Sequence, residues 1–97
     1  MIVRIVRLRF LPSELEAFES LMGSFAEDIR ARPGCLHLEL LLDREDEHAR
    51  ITLSHWENEE SLDAYRASDL FGQVWPQAKK MFSAPPEVWT FEKVIEG

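Results

Sequence analysis

Polar and aromatic side chains that could do chemistry alternate with apolar residues along short segments of the chain. His37 is the candidate for proton transfer, because a histidine titrates close to neutral pH. The same alternation offers a set of candidate ligand-binding residues: Arg7, Arg9, Glu39, Thr52, Ser54, Trp56, Thr90 and Glu92. An interior with an aromatic ring, hydroxyls and charges suits a small, partly polar, planar ligand.

The same residues also have a purely structural interpretation. Arg7 or Arg9 could pair with Glu92 across neighbouring strands, and paired charges at an interface commonly serve only to hold it in register. Trp56, at the end of a strand, could anchor a core or an interface instead of forming a cavity wall. Both interpretations stay open at the level of the sequence.

Metal and nucleotide chemistry are not indicated. The three histidines lack the close spacing of a metal site, and Cys35 has no partner motif. We therefore predict no metal ligands and interpret Cys35 as a small buried hydrophobe. Nucleophile elbows, glycine-rich phosphate loops and nucleotide fingerprints are absent from the sequence.

The composition of the chain narrows the class of protein. A length of 97 residues predicts a single domain over residues 1–97. A net charge of −7 argues against a nucleic-acid partner, which would call for a basic face. One cysteine cannot form an internal disulfide, and no apolar run is long enough to cross a bilayer. We expect a cytoplasmic protein without a nucleic-acid or membrane partner.

Hydrophobic periodicity predicts the element order β-α-β-β-α-β. Residues 2–10, 35–42, 50–56 and 88–95 are typical of strands. An apolar stripe at three- and four-residue steps predicts the first helix: Leu15, Phe18, Met22, Phe25 and Ile29. Gly34 should end the turn after this helix, and Asn58 and Ser68 should cap the two pieces of the second helix. Right-handed crossovers favour a four-stranded antiparallel sheet in the order 4-1-3-2, with the helices on one face.

The other face of this sheet, called the open face below, should carry more apolar surface than a monomer leaves in water. Its predicted residues include Val3, Ile5, Leu41, Thr52, Ser54 and Trp56. This assignment assumes that Ile51, Leu53 and His55 face the helices. We therefore expect a homodimer whose two open faces pack together as a barrel and enclose the candidate site between them.

Three segments carry a family resemblance: MIVRIVRLRFLPSELEAF, RPGCLHLELLLD and SHWENEESLDAYRASDLF. Their signals are the Pro-Gly-Cys turn, the strand that ends in Trp56-Glu57, and an aromatic residue at Tyr65. Together they resemble the antibiotic biosynthesis monooxygenase (ABM) domain family, from Ile2 to about Val94. The resemblance implies an α+β fold of ferredoxin-like βαββαβ topology that forms a dimeric α/β barrel.

The resemblance also implies an activity. Cofactor-independent members oxidise an electron-rich phenol, quinol or anthrone with dioxygen, because the substrate anion itself supplies the electron. Trp56 would then line the substrate cavity, with Tyr65 and Trp75 as further candidates for substrate contact. Haem-degrading members have a ligating histidine where this chain has Trp75, which argues against haem and leaves no cofactor expected. The alternative is a non-catalytic ligand-binding or interaction module on the same fold.

Overall fold

Four strands and three helices follow one another in the computed structural model, which describes residues 1–97. The elements are β1 (Ile2–Arg9), α1 (Leu15–Arg30), β2 (Cys35–Leu42), β3 (Ala49–Trp56), α2 (Glu59–Arg66), α3 (Asp69–Lys79) and β4 (Glu87–Glu92). The predicted element order is confirmed, with a short 3₁₀ turn at Pro12–Glu14 before α1. The last strand is shorter than predicted: it ends at Glu92, which pairs with Ile2, the first residue of β1.

The strands form one antiparallel sheet in the order β2-β3-β1-β4, as predicted. Together with the helices this is the ferredoxin-like α+β fold that the sequence indicated. Val6, Leu8 and Phe10 from the β1 segment pack in the core with Phe18 of α1 and Ala78 of α3. Full burial of a large apolar side chain contributes roughly 1.5–3 kcal/mol, so this layer holds the helices against one face of the sheet.

A glycine turn joins the start of β2 to the start of α2. Gly34 has a φ of 82°, the left-handed conformation that the sequence predicted for the turn after α1. A Cβ at this position would lie 2.2 Å from the Ser61 hydroxyl oxygen, so α2 passes too close for any side chain. The Gly34 carbonyl also accepts a hydrogen bond from the Glu57 amide at 2.8 Å. Only glycine therefore permits this packing.

The helix caps predicted at Asn58 and Ser68 are present and fix where α2 and α3 begin. The Asn58 side chain accepts a hydrogen bond from the Ser61 amide at 2.9 Å, and the Ser68 hydroxyl accepts one from the Phe71 amide at 3.2 Å. Each cap satisfies a backbone amide that the first turn of a helix leaves unpaired. The caps thus set the positions of the aromatic residues that α2 and α3 carry over the sheet.

The register of β3 corrects one part of the sequence prediction. Trp56 pairs with Ile2, Ser54 with Arg4 and Thr52 with Val6. Since Val6 packs against the helices, Thr52, Ser54 and Trp56 lie on the helical face and not on the open face. The prediction was wrong because Ile51 and Leu53 were taken to mark the core side, whereas both faces of this sheet carry apolar residues.

The register of β4 corrects a second part. Thr90 pairs with Arg4 and Glu92 with Ile2, so these two residues also belong to the helical side of the sheet. Arg7 is opposite Glu87, not Glu92. The predicted ion pair of Arg7 or Arg9 with Glu92 is therefore wrong.

The open face keeps four of the predicted candidates and gains a fifth. His37 and Glu39 of β2 pair with His55 and Leu53 of β3, and Arg7 pairs with Ile51. His55 was expected on the helical side and lies instead beside His37. None of the helices combines the length and the apolar character that crossing a bilayer requires.

Candidate functional site

A cavity of about 80 Å³ lies between the helical face of the sheet and the helices of the same chain. Fifteen residues line this helical-face pocket, and 12 of them are hydrophobic. Five of the predicted site residues are among them: Thr52, Ser54, Trp56, Tyr65 and Trp75. The pocket therefore lies within one protomer, whereas the sequence had suggested a site enclosed between the open faces of two.

Aromatic rings form a continuous wall of the pocket. Trp56 stacks on Tyr65 with ring centroids 5.1 Å apart and planes 20° apart. Tyr65 meets Phe71 edge-on at 5.3 Å, and Phe71 stacks on Trp75 at 5.7 Å and 14°. Flat faces and edges of this kind favour a planar aromatic ligand, which can stack in the same manner. The three elements β3, α2 and α3 supply this wall.

Trp56 serves the core and the pocket at once. Its side chain is only 1% exposed and packs with Cys35 and Leu62. Its indole N–H donates a hydrogen bond to the Ser54 hydroxyl oxygen at 3.0 Å, inside the pocket lining. The two interpretations of Trp56 that the sequence left open therefore do not exclude one another. Cys35 is buried, as expected, and burial raises the pKa of its thiol.

Arg4 is the one charged side chain in the pocket lining, and the sequence prediction overlooked it. It is half-buried, and burial together with the nearby charge of Arg66 lowers the pKa of its guanidinium. A guanidinium stays protonated in proteins, so the pocket carries a positive charge. The sequence contained this signal. Arg4 precedes Val6 by two residues and Leu8 by four, so in a strand it lies on the same, otherwise apolar, face.

Tyr65 supplies a hydroxyl to the same pocket. Burial raises the pKa of Tyr65 to about 12, with the charges of Arg4 and Arg32 opposing the shift. The phenol therefore stays protonated at neutral pH and acts as a hydrogen-bond donor. Thr52 and Ser54 add two further hydroxyls, so the polar part of the lining donates hydrogen bonds and carries no carboxylate or imidazole.

His37 and Glu39 are on the opposite side of the sheet from this pocket. The His37 Nε2 atom is in hydrogen-bond contact with the Glu39 carboxylate. The His37 ring also lies 5.3 Å from the ring of His55, and burial, Lys93 and His37 together lower the pKa of His55. Within one protomer, His37 does not share a cavity with Trp56, although the sequence placed both in one site.

Arg7 and Arg9 belong to an ion-pair network at one end of the open face. The Arg7 guanidinium lies 2.8 Å from Asp43 and 3.1 Å from Glu87, and Arg9 lies 3.6 Å from Asp46. Hydrogen bonds from the Glu45 amide and from Arg7 lower the pKa of Asp43. This geometry is the structural role that was considered for the two arginines, with Glu87 in place of Glu92.

No cluster of three histidine, cysteine, aspartate or glutamate side chains has the arrangement of a metal site. Trp75, at the position where the resemblance placed a haem-ligating histidine, packs against Phe71 and Phe82 beside the pocket. An indole cannot serve as an axial ligand to iron. The side chains of the pocket thus offer stacking, hydrogen-bond donation and one positive charge.

Comparison with solved structures supports the fold over the whole chain. A conserved protein from Methanosarcina mazei Go1 matches with a TM-score of 0.90 at 23% identity, covering 97% of this chain and 94% of that chain. A structure described as an antibiotic biosynthesis monooxygenase matches with a TM-score of 0.90 at 21% identity, over 98% and 100% of the two chains. A Mycobacterium tuberculosis protein gives 0.90 at 19% identity, over 98% and 96%. These similarities show the fold.

Sequence comparison gives the family. No curated protein matches this chain. The family model described as "Antibiotic biosynthesis monooxygenase" matches residues 1–75, which include β1, α1, β2, β3, α2 and the first part of α3. That range contains every residue of the aromatic wall and Arg4. The chain belongs to the antibiotic biosynthesis monooxygenase family.

Proposed function

We propose that this protein is a cofactor-independent monooxygenase that oxidises a small electron-rich phenol or quinol in the helical-face pocket. The supporting observation is the pocket itself: stacked aromatic walls around one guanidinium and three hydroxyls, in a chain of the monooxygenase family. A hydroquinone anion can give an electron to dioxygen directly. The overall reaction converts hydroquinone and O₂ to hydroxyquinone and water, so no external reductant is needed.

The size of the pocket favours a single ring. An apolar cavity of about 150 Å³ is known to hold benzene, and this one measures about 80 Å³. A polycyclic polyketide would need a large rearrangement of the helices, whereas one ring needs only a modest movement of a lining side chain. Phe71 and Trp75, which are not fully buried, are the side chains best placed to move.

The chain contributes binding, orientation and exclusion of water to this reaction. Trp56 and Tyr65, which stack on each other, would flank the substrate ring, and the Arg4 guanidinium would stabilise the negative charge that precedes electron transfer. Twelve hydrophobic lining residues lower the local dielectric and strengthen that charge interaction. His37 is on the open face and does not reach the pocket of its own chain. It could take part only if a second copy of the chain placed its own His37 at this pocket.

Oxygen consumption by metal-stripped protein tests the proposal. With a panel of single-ring hydroquinones and a chelator present, we expect oxygen uptake and a hydroxylated quinone product. Thr52→Phe, which fills the pocket, should abolish uptake, and His37→Gln should retain it. Absence of uptake with every compound under air would refute the proposal, and loss of uptake in His37→Gln would move the site to the open face.

A non-catalytic ligand-binding module is the second candidate. It is favoured by the absence of a carboxylate or imidazole from the pocket lining, which leaves no side chain there to remove a proton. Saturable binding of a phenol without any oxygen uptake would support this alternative over the monooxygenase.

We also propose that two copies associate through their open faces. Leu41, Trp89 and Phe91 are 38%, 40% and 51% exposed, and all three lie on that face. The two central strands carry four further apolar residues on the same face between them: Val3, Ile5, Ile51 and Leu53. Apolar surface of this extent is unusual on a monomer. Because the pocket lies on the other face of the sheet, this association would not enclose the ligand.

A further inference from the structure

Arg4 is an unpaired cation in a chain with an excess of carboxylates. The sequence has 18 acidic and 11 basic residues, yet no carboxylate oxygen lies within ion-pair distance of the Arg4 guanidinium. Three residues further along the same strand, Arg7 has Asp43, Asp46 and Glu87 as partners. A charge in a partly buried, apolar site is costly without a partner. The partner of Arg4 is therefore expected to come from a ligand.

Two more arginines lie near the same end of the pocket. The charge of Arg66, in the last turn of α2, lowers the pKa of Arg4, and the charge of Arg32 affects Tyr65. Neither Arg66 nor Arg32 forms an ion pair, and the Nε atom of Arg32 is buried without a hydrogen-bond partner. Cations that lie close together attract anions. Arg4, Arg66 and Arg32 form such a group in a chain whose net charge is −7.

We propose that the helical-face pocket selects single-ring compounds that carry one anionic oxygen group, with Arg4 as its charge partner and the Tyr65 hydroxyl as a second donor. The inference rests on the proposed function in taking the same pocket as the substrate site, and it names the substrate class. It also accounts for the missing base. A substrate that binds as the anion needs no carboxylate or imidazole to deprotonate it. This requires its oxygen to lie close enough to the Arg4 guanidinium to outweigh the burial that raises the pKa of Tyr65 in the same pocket.

Two probes separate the possible sources of the anion. Benzoate and benzamide have nearly the same shape and differ in charge, so the ratio of their Kd values reports a carboxylate site. The phenol 4-nitrophenol changes colour on ionisation, so its pKa in the presence of saturating protein reports a phenolate site. Chemical shifts of the indole N–H groups locate binding, since Trp56 lies in the pocket and Trp89 on the open face.

We expect wild-type protein to bind benzoate at least about tenfold more tightly than benzamide, or to lower the pKa of 4-nitrophenol by about one unit, since hydrogen bonds to charged groups carry that much discrimination. The Trp56 resonance should shift and that of Trp89 should not. Arg4→Gln should remove the preference, Arg4→Lys should keep part of it, and Arg44→Gln, an exposed loop arginine, should keep all of it. Benzoate selectivity alone identifies a carboxylate, and a nitrophenol shift alone identifies a phenolate.

Equal affinity for benzoate and benzamide together with an unshifted 4-nitrophenol pKa in the wild type would overturn the inference, and these measurements need no variant to fold. A preference that survives in Arg4→Gln would overturn it as well. Oxygen uptake with neutral hydroquinones but no anion preference would leave the monooxygenase proposal in place and remove this one. Arg4-dependent anion binding without any oxygen uptake would support this inference and refute the monooxygenase proposal.

Discussion

The two faces of the sheet differ in whether their charges are paired and in whether their aromatic residues are buried. On the helical face, Arg4 has no carboxylate partner, and the aromatic rings pack against one another around a cavity. On the open face, Arg7 is held by three carboxylates, while Trp89 and Phe91 are exposed on their strand. Arg7 therefore has a structural role, whereas Arg4, which is half-buried and has no carboxylate partner, is the charge for which we propose a ligand. The packed rings of Trp56 and Tyr65 belong to the core, whereas the exposed Trp89 and Phe91 are the residues that we propose a second copy covers.

Each face is thus incomplete in one respect only. The helical face lacks a counter-charge, which a small anion can supply, and the open face lacks apolar cover, which a second copy can supply. The proposed ligand site and the proposed dimer interface are thus on opposite faces of the same four strands. Substitutions on either face test this separation, and their expected effects differ in size.

The largest effect is expected from a charge on the open face. Phe91→Glu should dissociate the proposed dimer, because a buried phenylalanine contributes roughly 1.5–3 kcal/mol and a symmetric interface loses it twice. The dimer Kd should rise by about two to four orders of magnitude, measured by sedimentation. Thr90→Glu puts the same charge on the same strand with the side chain on the other face, and should leave the dimer intact. A monomeric wild type at micromolar concentration would contradict the prediction.

The next effect concerns the turn that holds α2 over the pocket. Gly34→Ala should destabilise the fold by about 2–4 kcal/mol, from a positive φ of roughly 1–2 kcal/mol and the overlap with Ser61. Gly23→Ala is the matched control: Gly23 is exposed in α1 with no atom near its Cβ position, so alanine should stabilise by about 0.5–1 kcal/mol. Chemical denaturation measures both. Equal effects at the two glycines would show that the close packing at Gly34 is not required.

The sequence predicted the elements and the strand order, but not which face of the sheet carries the pocket residues. Alternation located β1 and β2 correctly, and the Pro33-Gly34 turn followed from backbone chemistry alone. When both sides of a strand are apolar, alternation does not show which side contacts the helices. The two faces of β3 were therefore assigned the wrong way round. Thr52 and Ser54 were correctly expected to share one side of the strand with Trp56, but that side was assigned to the open face. In the structure they line the helical-face pocket, where the Ser54 hydroxyl accepts a hydrogen bond from the Trp56 indole. That environment depends on tertiary packing.

The pH dependence of Tyr65 tests burial on the helical face. Its pKa is raised to about 12 in the folded protein and is near 10 in an unfolded chain. The contribution of protonated Tyr65 to stability should therefore be fully present below pH 10. Between pH 10 and 12 the free energy of unfolding should fall by up to about 1.4 kcal/mol per pH unit. The chain has one tyrosine, so tyrosinate absorbance reports this residue alone. A native midpoint near pH 10, or the same alkaline loss of stability in Tyr65→Phe, would contradict the assignment.

The smallest effect is also the most direct comparison of the two faces, since it makes one substitution at two arginines of β1. Arg7→Met removes a cation from Asp43 and Glu87 and should lower the Tm. Arg4→Met removes a cation that has no protein partner and keeps an apolar stem in an apolar pocket, so stability should change by less than about 0.5 kcal/mol. The gap between the variants should narrow in high salt, because salt screens exposed ion pairs. Thermal unfolding at one protein concentration measures both, and benzoate should then stabilise the Arg7 variant but not the Arg4 variant. If Arg4→Met proved the more destabilising of the two without ligand, the guanidinium would have a structural partner and the distinction between the faces would fail.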